Sequence, residues 1–519
     1  MRLVKGCGLA MLATLALAGS GLGARDPGAA PWPSGAAVVS YASEDALADA
    51  LERQPARIVR HIPALRVAAL RPAGSLERFA LRIGAEPGIL RVERAAARRS
   101  LAEPALASFA SALPLQWQYA AVRADQLPAA VAQTAAGVTI AVVDTGADLT
   151  APDLGAKVPH TYSVGRRQAD VADVNGHGTF VAALAAGSST NGDGIAGVGG
   201  EAALMVVQAG GATGAFTDVD EAAAIVYAVD HGARIVNLSL GGPSTSSIEK
   251  RAVDYAVARG ALLVAAVGNG YQQGNPVEYP AALLQPVGSN GVGGRGLAVA
   301  ASTVDGRRAP FSSAGSHVSL AAPGLNVFSA VSASSSTARY PRTPLPGSLG
   351  GVYGYGSGTS FAAPQVAGAA ALVWGANPGL RADEVASILE QSATGNGSWN
   401  PELGYGVLDV AAAVARAQQT PLSVVPAPAA AAEIRLSGKR VGTRVALWWR
   451  ASGEAVSFRV SVRVNGGGER VLTGAATDRR ATYALTTGSY RFTVAALDAD
   501  GRQLAVSAPW RVTVPRSRR

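Results

Sequence analysis

The sequence predicts an α/β fold in which a parallel sheet carries helices on both faces. From about residue 116 to residue 415, short apolar segments rich in β-branched residues alternate with segments of helical apolar spacing, a pattern typical of parallel sheets. A small α+β unit is predicted before this region, and a small all-β sandwich module after it. The 519 residues, of which 48% are hydrophobic and 16% charged, suffice for two or three globular units.

Residues 1–24 have the layout of a secretory signal peptide. Arg2 and Lys5 precede an apolar stretch that finishes in small residues, as signal peptides do. No other segment approaches the roughly 18 apolar residues of a membrane-spanning helix. We therefore expect a secreted protein, extracellular or periplasmic, without a membrane span. Cys7, the only cysteine of the sequence, lies inside this segment, so we expect no disulfide in the mature chain.

The formal net charge of +9 does not indicate a nucleic-acid partner. The arginines are scattered, and no predicted helix or strand carries a basic stripe interleaved with aromatic residues, which nucleic-acid-binding surfaces usually show. A solvated basic surface explains the charge. We expect a monomer.

The smaller units flank the large domain. Residues 37–93 predict a compact β-α-β-β-α-β unit, and with the Ala- and Arg-rich connector that follows they form a segment of residues 37–112. Residues 416–433 read as a Pro/Ala linker. Alternating apolar and polar residues within 434–515, with turns at NGGG and DADG, predict a β-sandwich similar to fibronectin type III or immunoglobulin-like modules.

Three polar residues of the large domain lie where predicted strands end or helices begin. Asp144 follows the strand of residues 138–143, His177 lies where a helix begins, and Ser360 begins the helix in GSGTSFAAPQVAGAAAL. Parallel sheets place their sites at the carboxyl ends of strands. Each residue has an ordinary alternative: a turn aspartate, a surface or core histidine, and a serine N-cap. For these alternatives to hold, three unrelated structural residues would have to follow one another in the order Asp, His, Ser. One class of serine hydrolases has its catalytic residues in this order.

Residues 116–415 resemble the catalytic domain of the subtilisin-like serine endopeptidases, the subtilases of peptidase family S8. The matching segments are VTIAVVDTGADLTAPDL (138–154), NGHGTFVAALAAG (175–187), IVNLSLGG (235–242), AAVGNG (265–270), YPAA (279–282), APFSSAG (309–315), APG (322–324) and GTSFAAPQVAGAAAL (358–372). They follow the family order over about 300 residues. The resemblance implies a subtilisin-like fold and hydrolysis of peptide bonds.

The same resemblance assigns roles to individual residues. Ser360 would be the nucleophile, His177 the base that takes its proton, and Asp144 the carboxylate that orients the histidine. Asn269 would donate a hydrogen bond to the oxyanion, its alternative being a turn residue before Gly270. The segment SLGG would bind an extended substrate peptide as an added strand. Its residues are Ser239, Leu240, Gly241 and Gly242.

Other positions bear on helper contacts, metal binding and specificity. Asp153 and the loop of residues 191–197 fall where many relatives hold a structural calcium, and a solvated turn is the alternative; the ligands are left open. We expect no cofactor to be required for catalysis. Gly270 adds no charge to the specificity pocket, which favours an apolar residue before the cut. The departures from the usual family pattern are Ala151, Phe180, Ala183 and Gln365.

Two functions are compatible with these observations. The first is a secreted serine endopeptidase that cleaves proteins and peptides through an acyl-enzyme, with its own pro-segment as an intramolecular inhibitor that is removed autocatalytically between about residues 95 and 115. The segment could instead be an ordinary small domain. The second function is a catalytically silent binding or adhesion protein on a protease scaffold. The intact Asp144, His177, Asn269 and Ser360 favour the endopeptidase.

Overall fold

A computed structural model describes most of the chain. The described residues are 35–101, 103–104, 114–348, 350–421, 434–451, 457–465, 469–476, 478–497 and 503–515. The predicted signal peptide and most of the predicted linker lie outside them.

The N-terminal unit is an antiparallel sheet with two helices. Its elements are β1 (Ala37–Tyr41), α1 (Glu44–Arg53), β2 (Arg57–Ile62), β3 (Val67–Arg71), α2 (Leu76–Gly84) and β4 (Ile89–Arg94). The strand order is β2-β3-β1-β4. Val39 and Tyr41 join the core under the two helices, whereas Val38 joins a core of the following domain. Because alternate strand residues face opposite sides, one face of this sheet covers its own helices and the other packs against the large domain.

The large domain is built on a seven-stranded parallel sheet. Its strands in chain order are β6 (Thr139–Asp144), β7 (His160–Ser163), β8 (Ala203–Gln208), β10 (Ile235–Leu238), β12 (Leu262–Ala266), β13 (Leu297–Ser302) and β14 (Leu320–Pro323). They are ordered β14-β13-β12-β10-β6-β8-β7, and neighbouring strands are parallel. Short strands outside this sheet are β5 (Ala97–Ser100), β9 (Ala215–Thr217), β11 (Leu240–Gly241), β15 (Val327–Ala330) and β16 (Tyr353–Gly356).

Helices cover both faces of the parallel sheet, which confirms the predicted fold class. They are α3 (Trp117–Ala121), α4 (Ala129–Thr134), α5 (His177–Ala186), α6 (Asp218–Asp230), α7 (Ser247–Val257), α8 (Ala281–Leu284), α9 (Thr359–Ala376), α10 (Ala382–Ser392) and α11 (Val410–Gln419). One core buries α5 and α9, and a second core buries α6 and α7. Gly368 lets α9 approach α5 closely, because a Cβ there would lie 2.4 Å from the carbonyl oxygen of Ala185.

The C-terminal module contains two antiparallel sheets around a single core, as a sandwich requires. Its strands are β17 (Ile434–Val441), β18 (Arg444–Ala451), β19 (Ser457–Val464), β20 (Glu469–Ala476), β21 (Arg480–Ala484), β22 (Gly488–Leu497), β23 (Gln503–Val506) and β24 (Trp510–Val514). The sheets are β17-β18-β21 and β20-β19-β22-β23, with β24 also paired to β22. Trp449, Phe458 and Phe492 fill the core. None of the described helices of the chain is long and apolar enough to cross a membrane.

Candidate active site

Asp144 and His177 form a buried pair at the carboxyl end of the central strand. Asp144 ends β6 and His177 begins α5, and His177 Nδ1 lies 2.8 Å from Asp144 Oδ1. The same carboxylate oxygen accepts a hydrogen bond of 2.7 Å from the backbone of Thr145. Burial by itself lowers the pKa of His177, but the charge and hydrogen bond of Asp144 outweigh it and the pKa is raised. With Nδ1 donating to the carboxylate, Nε2 is left as the basic nitrogen of the neutral ring.

A second buried aspartate, Asp173, connects the elements that carry this pair. Its carboxylate accepts hydrogen bonds from the Thr145 hydroxyl at 2.9 Å, the Gly176 backbone at 2.8 Å, and both the backbone and hydroxyl of Thr179. The Thr145 hydroxyl in turn accepts from the Gly178 backbone at 2.9 Å. Sequence reasoning missed Asp173; its position four residues before the first residue of α5, where a carboxylate favours a helix N-terminus, was the available signal.

Ser360 lies in the first turn of α9, beside the imidazole. The ring of His177 lies 5.5 Å from that of Phe361, the next residue, centroid to centroid. Ser360 Oγ donates to the carbonyl oxygen of Ser239 at 3.2 Å, and Ser239 Oγ donates back to the Ser360 carbonyl at 2.7 Å. Within the described part of the chain, His177 Nε2 is buried without a hydrogen-bond partner. The helix that carries Ser360 therefore packs against the imidazole, and no hydrogen bond joins Ser360 Oγ to His177 Nε2 among the described contacts.

Asn269 is oriented by the residue that precedes the serine. Its Oδ1 accepts hydrogen bonds of 2.9 Å from both the backbone and the hydroxyl of Thr359, and the Thr359 hydroxyl accepts from the Gly268 backbone at 3.2 Å. Because the amide oxygen of Asn269 faces Thr359, its NH₂ group faces away from that residue. A Cβ atom on Gly358 would lie 3.3 Å from Nδ2. Thr359 is a positioning residue that the sequence reasoning did not identify.

The predicted substrate edge SLGG already borders a strand of the same chain. The connector strand β5 lies between β11 and β9, antiparallel to both. Leu240 is paired with Ser100 and Gly241 with Arg99, and the Ser100 backbone donates to Gly214 at 2.9 Å.

The remaining two residues of that edge are placed differently. Gly242 lies close to the connector, because a Cβ there would come within 2.7 Å of the Ala97 carbonyl oxygen. Ser239 instead contacts Ser360. The partner strand β9 was not predicted, because three residues give too short a pattern.

Beyond β5, the side chain of Leu101 enters a cavity of about 500 Å³ that Asn269, Gly270 and Glu278 also line. A Cβ on Gly241 would come within 2.9 Å of Leu101 Cδ2, so the glycine makes room for this side chain. Burial raises the pKa of Glu278. Gly270 itself adds no charge to this cavity, but Glu278, eight residues further along the chain, brings an ionisable carboxyl group to it.

The positions that depart from the family pattern are packing residues. Phe180 lies 4.2 Å from the ring of Phe361 and also stacks on Tyr340. Gln365 donates its amide to the carbonyl oxygens of Pro323 and Phe361, both at 2.7 Å. Ala151 and Ala183 are buried among apolar residues.

Asp153 lies beside an oxygen-rich loop. Its carboxylate is buried, accepts from the Ile195 backbone, and accepts from Tyr353 Oη at 3.1 Å. Burial raises its pKa, so a nearby cation would stabilise the ionised form. Gln116 and Asn191 line an adjacent cavity of about 360 Å³. Within the described stretches no group of three or more His, Cys, Asp or Glu residues could hold a metal, so calcium would depend on amide and carbonyl oxygens, which suit it.

The fold and the residues collected at its strand ends define the class of protein, that of the subtilisin-like serine peptidases. The subtilase family model matches residues 135–406. A thermophilic serine proteinase from Bacillus sp. (strain AK1) is 36% identical over 263 residues, which cover 51% of this chain and 58% of the relative. Subtilisin Savinase from Lederbergia lenta is 36% identical over 280 residues, 54% of this chain and 91% of the relative. The chain belongs to the subtilase family.

A solved structure extends the likeness in fold. The crystal structure of fervidolysin from Fervidobacterium pennivorans, described as a keratinolytic enzyme related to subtilisin, superposes with a TM-score of 0.62 over 92% of this chain and 77% of that chain. Because the sequence identity is only 24%, this superposition supports a shared fold and does not assign a function.

Proposed function

We propose that this member of a family of serine endopeptidases is a secreted enzyme that hydrolyses peptide bonds of proteins through an acyl-enzyme on Ser360. The observation that carries the proposal is the buried 2.8 Å contact between His177 Nδ1 and Asp144, with Ser360 on the neighbouring helix. A histidine fixed at Nδ1 presents Nε2 as a proton acceptor, which a serine nucleophile needs.

Each residue of the site has a step in the proposed reaction. The Ser360 hydroxyl turns away from the Ser239 carbonyl, gives its proton to His177 Nε2 and attacks the substrate carbonyl carbon. Asp144 stabilises the imidazolium that forms. The amide of Asn269 and the N-terminus of α9 stabilise the oxyanion. His177 then protonates the leaving amine, and water hydrolyses the acyl-enzyme by the reverse roles.

We propose that the N-terminal unit and the connector together form the inhibitory pro-segment. The connector runs along the predicted substrate edge, and the unit contacts helices α6 and α7. Arg60 pairs with Asp220 at 2.5 Å, Arg251 donates to the Ser40 hydroxyl at 3.1 Å, and Ser247 bonds to Glu93. These contacts anchor the unit to α6 and α7, while β5 is paired with β11, the strand of the predicted substrate edge. A substrate cannot add to β11 until β5 leaves.

The proposed function is tested by the intact mass of the secreted protein and of Ser360→Ala, with Ser387→Ala as the matched control. Ser387 lies on α10, where its hydroxyl bonds only to the exposed Gln391 amide among the contacts described. We expect the wild type and the control to lose the pro-segment and digest casein, and Ser360→Ala to retain the segment. If the wild type keeps it and leaves casein intact, the binding or adhesion protein replaces this proposal.

We further propose that a structural calcium binds beside Asp153, with oxygen ligands from the loop of residues 191–197. A calcium ion at 100 times its dissociation constant would stabilise the fold by about 2.7 kcal/mol. Calcium should therefore raise the melting temperature of the wild type and of Asp170→Asn, an exposed control, but not that of Asp153→Asn. Equal shifts in all three proteins would contradict the site.

A further inference from the structure

Arg98, in the connector strand, is buried in a pocket made of two glutamates from the large domain. Its guanidinium lies 2.8 Å from Glu221 on α6 and 2.6 Å from Glu249 on α7. All three side chains are 0% exposed. A buried charge is stable only when it is paired and hydrogen-bonded, so this pocket is built for a cation.

The pocket keeps its shape through contacts that belong to the large domain. The Thr245 hydroxyl donates to Glu249 at 2.6 Å, and the Glu249 backbone donates to Ser246 Oγ at 3.2 Å. Gly242 leaves the entrance open, because a Cβ there would lie 2.9 Å from the Arg98 guanidinium. Only the cation comes from the connector, so departure of the connector leaves two carboxylates facing each other.

The position of Arg98 along the cleft is set by strand pairing. Ser100 is paired with Leu240, and Leu101 lines the same cavity as Asn269. Glu103 lies on the other side of the candidate active site, where its carboxylate accepts a hydrogen bond from Arg339. Arg339 also donates to the side chain of Asn175, two residues before His177. Leu101 and Glu103 therefore lie on either side of the bond that we expect to be cut. Counted back from a bond after Leu101, Arg98 is the fourth residue.

We propose that the Glu221–Glu249 pocket selects substrates with an arginine as the fourth residue before the cleaved bond, and that the connector is the first such substrate, cut after Leu101. This inference rests on the proposed function. Hydrolysis consumes one water, breaks the bond between Leu101 and Ala102, and leaves a carboxylate on the first and an amine on the second. The substrate class is a peptide of the form Arg-x-Ser-Leu.

The first test uses the processed enzyme and two chromogenic peptides, acetyl-Arg-Ala-Ser-Leu-p-nitroanilide and the same peptide with norleucine in place of arginine. Charged hydrogen bonds contribute about 1.5 to 3 kcal/mol, so we expect kcat/KM about 10- to 100-fold higher for the arginine peptide. In Glu221→Gln and Glu249→Gln that ratio should fall severalfold, because the arginine peptide loses a charged partner that the norleucine peptide never uses. Glu402→Gln, on an exposed carboxylate, is the control.

The outcomes separate this inference from the function on which it rests. Equal cleavage of the two peptides by the wild type, with casein digested, overturns the arginine pocket and leaves the endopeptidase intact. Failure to cleave casein and both peptides overturns the proposed function itself.

A second test changes the connector and leaves the enzyme intact. Arg98→Gln should slow self-processing about 10-fold or more, whereas Arg82→Gln, on an exposed side chain of α2, should not. Sequencing of the processed enzyme should give a new N-terminus at Ala102. Equal processing of the two variants, or a cut elsewhere in the connector, would contradict the assigned register.

Discussion

Two buried acid–base pairings lie in the large domain and differ in the origin of the basic side chain. Asp144 and His177 both belong to the large domain. Arg98 comes from the connector and pairs with Glu221 and Glu249 of that domain. Under the proposed function, the first pair persists through every turnover, whereas the second must break before a substrate can enter. On that proposal Asp144 and His177 take part in the chemistry, and loss of Arg98 leaves an acidic pocket that a substrate arginine can enter.

The largest effect should come from the permanent pair. Asp144→Asn keeps the shape but lets the amide impose the wrong tautomer on His177, which we expect to lower kcat about 10⁴-fold. The half-time of self-processing and the rate of casein hydrolysis measure the loss. Asp170→Asn changes an exposed carboxylate bonded to Arg166 and should be neutral. A loss below about tenfold for Asp144→Asn would remove the distinction between the two pairs.

The next effect concerns the oxyanion donor and its positioning residue. Asn269→Ala should lower kcat about 100- to 1000-fold. Thr359→Val removes one neutral hydrogen bond to Asn269 and should cost up to about 10-fold in kcat. Because Thr359 acts through Asn269, the double variant should be no slower than Asn269→Ala alone. Additive losses would show that Thr359 acts on the reaction by another route.

The acidic pocket should also respond to pH. Burial and the charge of Glu249 raise the pKa of Glu221, and Arg98 opposes that rise. When the connector leaves, the charge of Arg98 that lowers this pKa is lost, and the negative charges of Glu249 and Asp218 that raise it remain. The preference for arginine over norleucine should therefore increase as pH rises from about 5 to 9. The norleucine peptide reports the pH dependence of the triad, and a constant ratio would mean that the pocket does not titrate.

The two pairs also differ in how far the sequence predicts them. Asp144 and His177 each stand at an element end within a recognisable segment, so their meeting follows from the parallel sheet and the family resemblance. Arg98 is 123 residues from Glu221 and 151 from Glu249. Glu221 and Glu249 lie on amphipathic helices, and from the sequence alone glutamates on such helices are predicted to face solvent. Only the pairing of β5 with β9 and β11 shows that they face inward.

The same reasoning explains the smaller misses. Strand and helix bounds such as those of β8 and α5 follow from periodicity, since residues 203–208 and 177–186 carry clear apolar patterns. Asp173, Thr359 and Glu278 act through hydrogen bonds or cavities that join separate segments, and a pattern along the chain does not encode them.

The smallest predicted effect concerns Glu278, which shares the cavity of Leu101. Burial raises its pKa, while Arg99 and Arg98 in the connector lower it. In the processed enzyme these arginines are gone, which removes the two charges that lower the pKa of the carboxyl group, and we expect the cavity to accept leucine. Glu278→Gln should then change cleavage after leucine less than about threefold. A lysine in place of that leucine should be cleaved better at alkaline pH by the wild type, because an ionised Glu278 attracts it, and Glu278→Gln should lose that gain. If Glu278→Gln instead cleaves the leucine peptide much more slowly than the wild type, this cavity also requires a charged group. The contrast between the leucine cavity and the arginine pocket would then disappear.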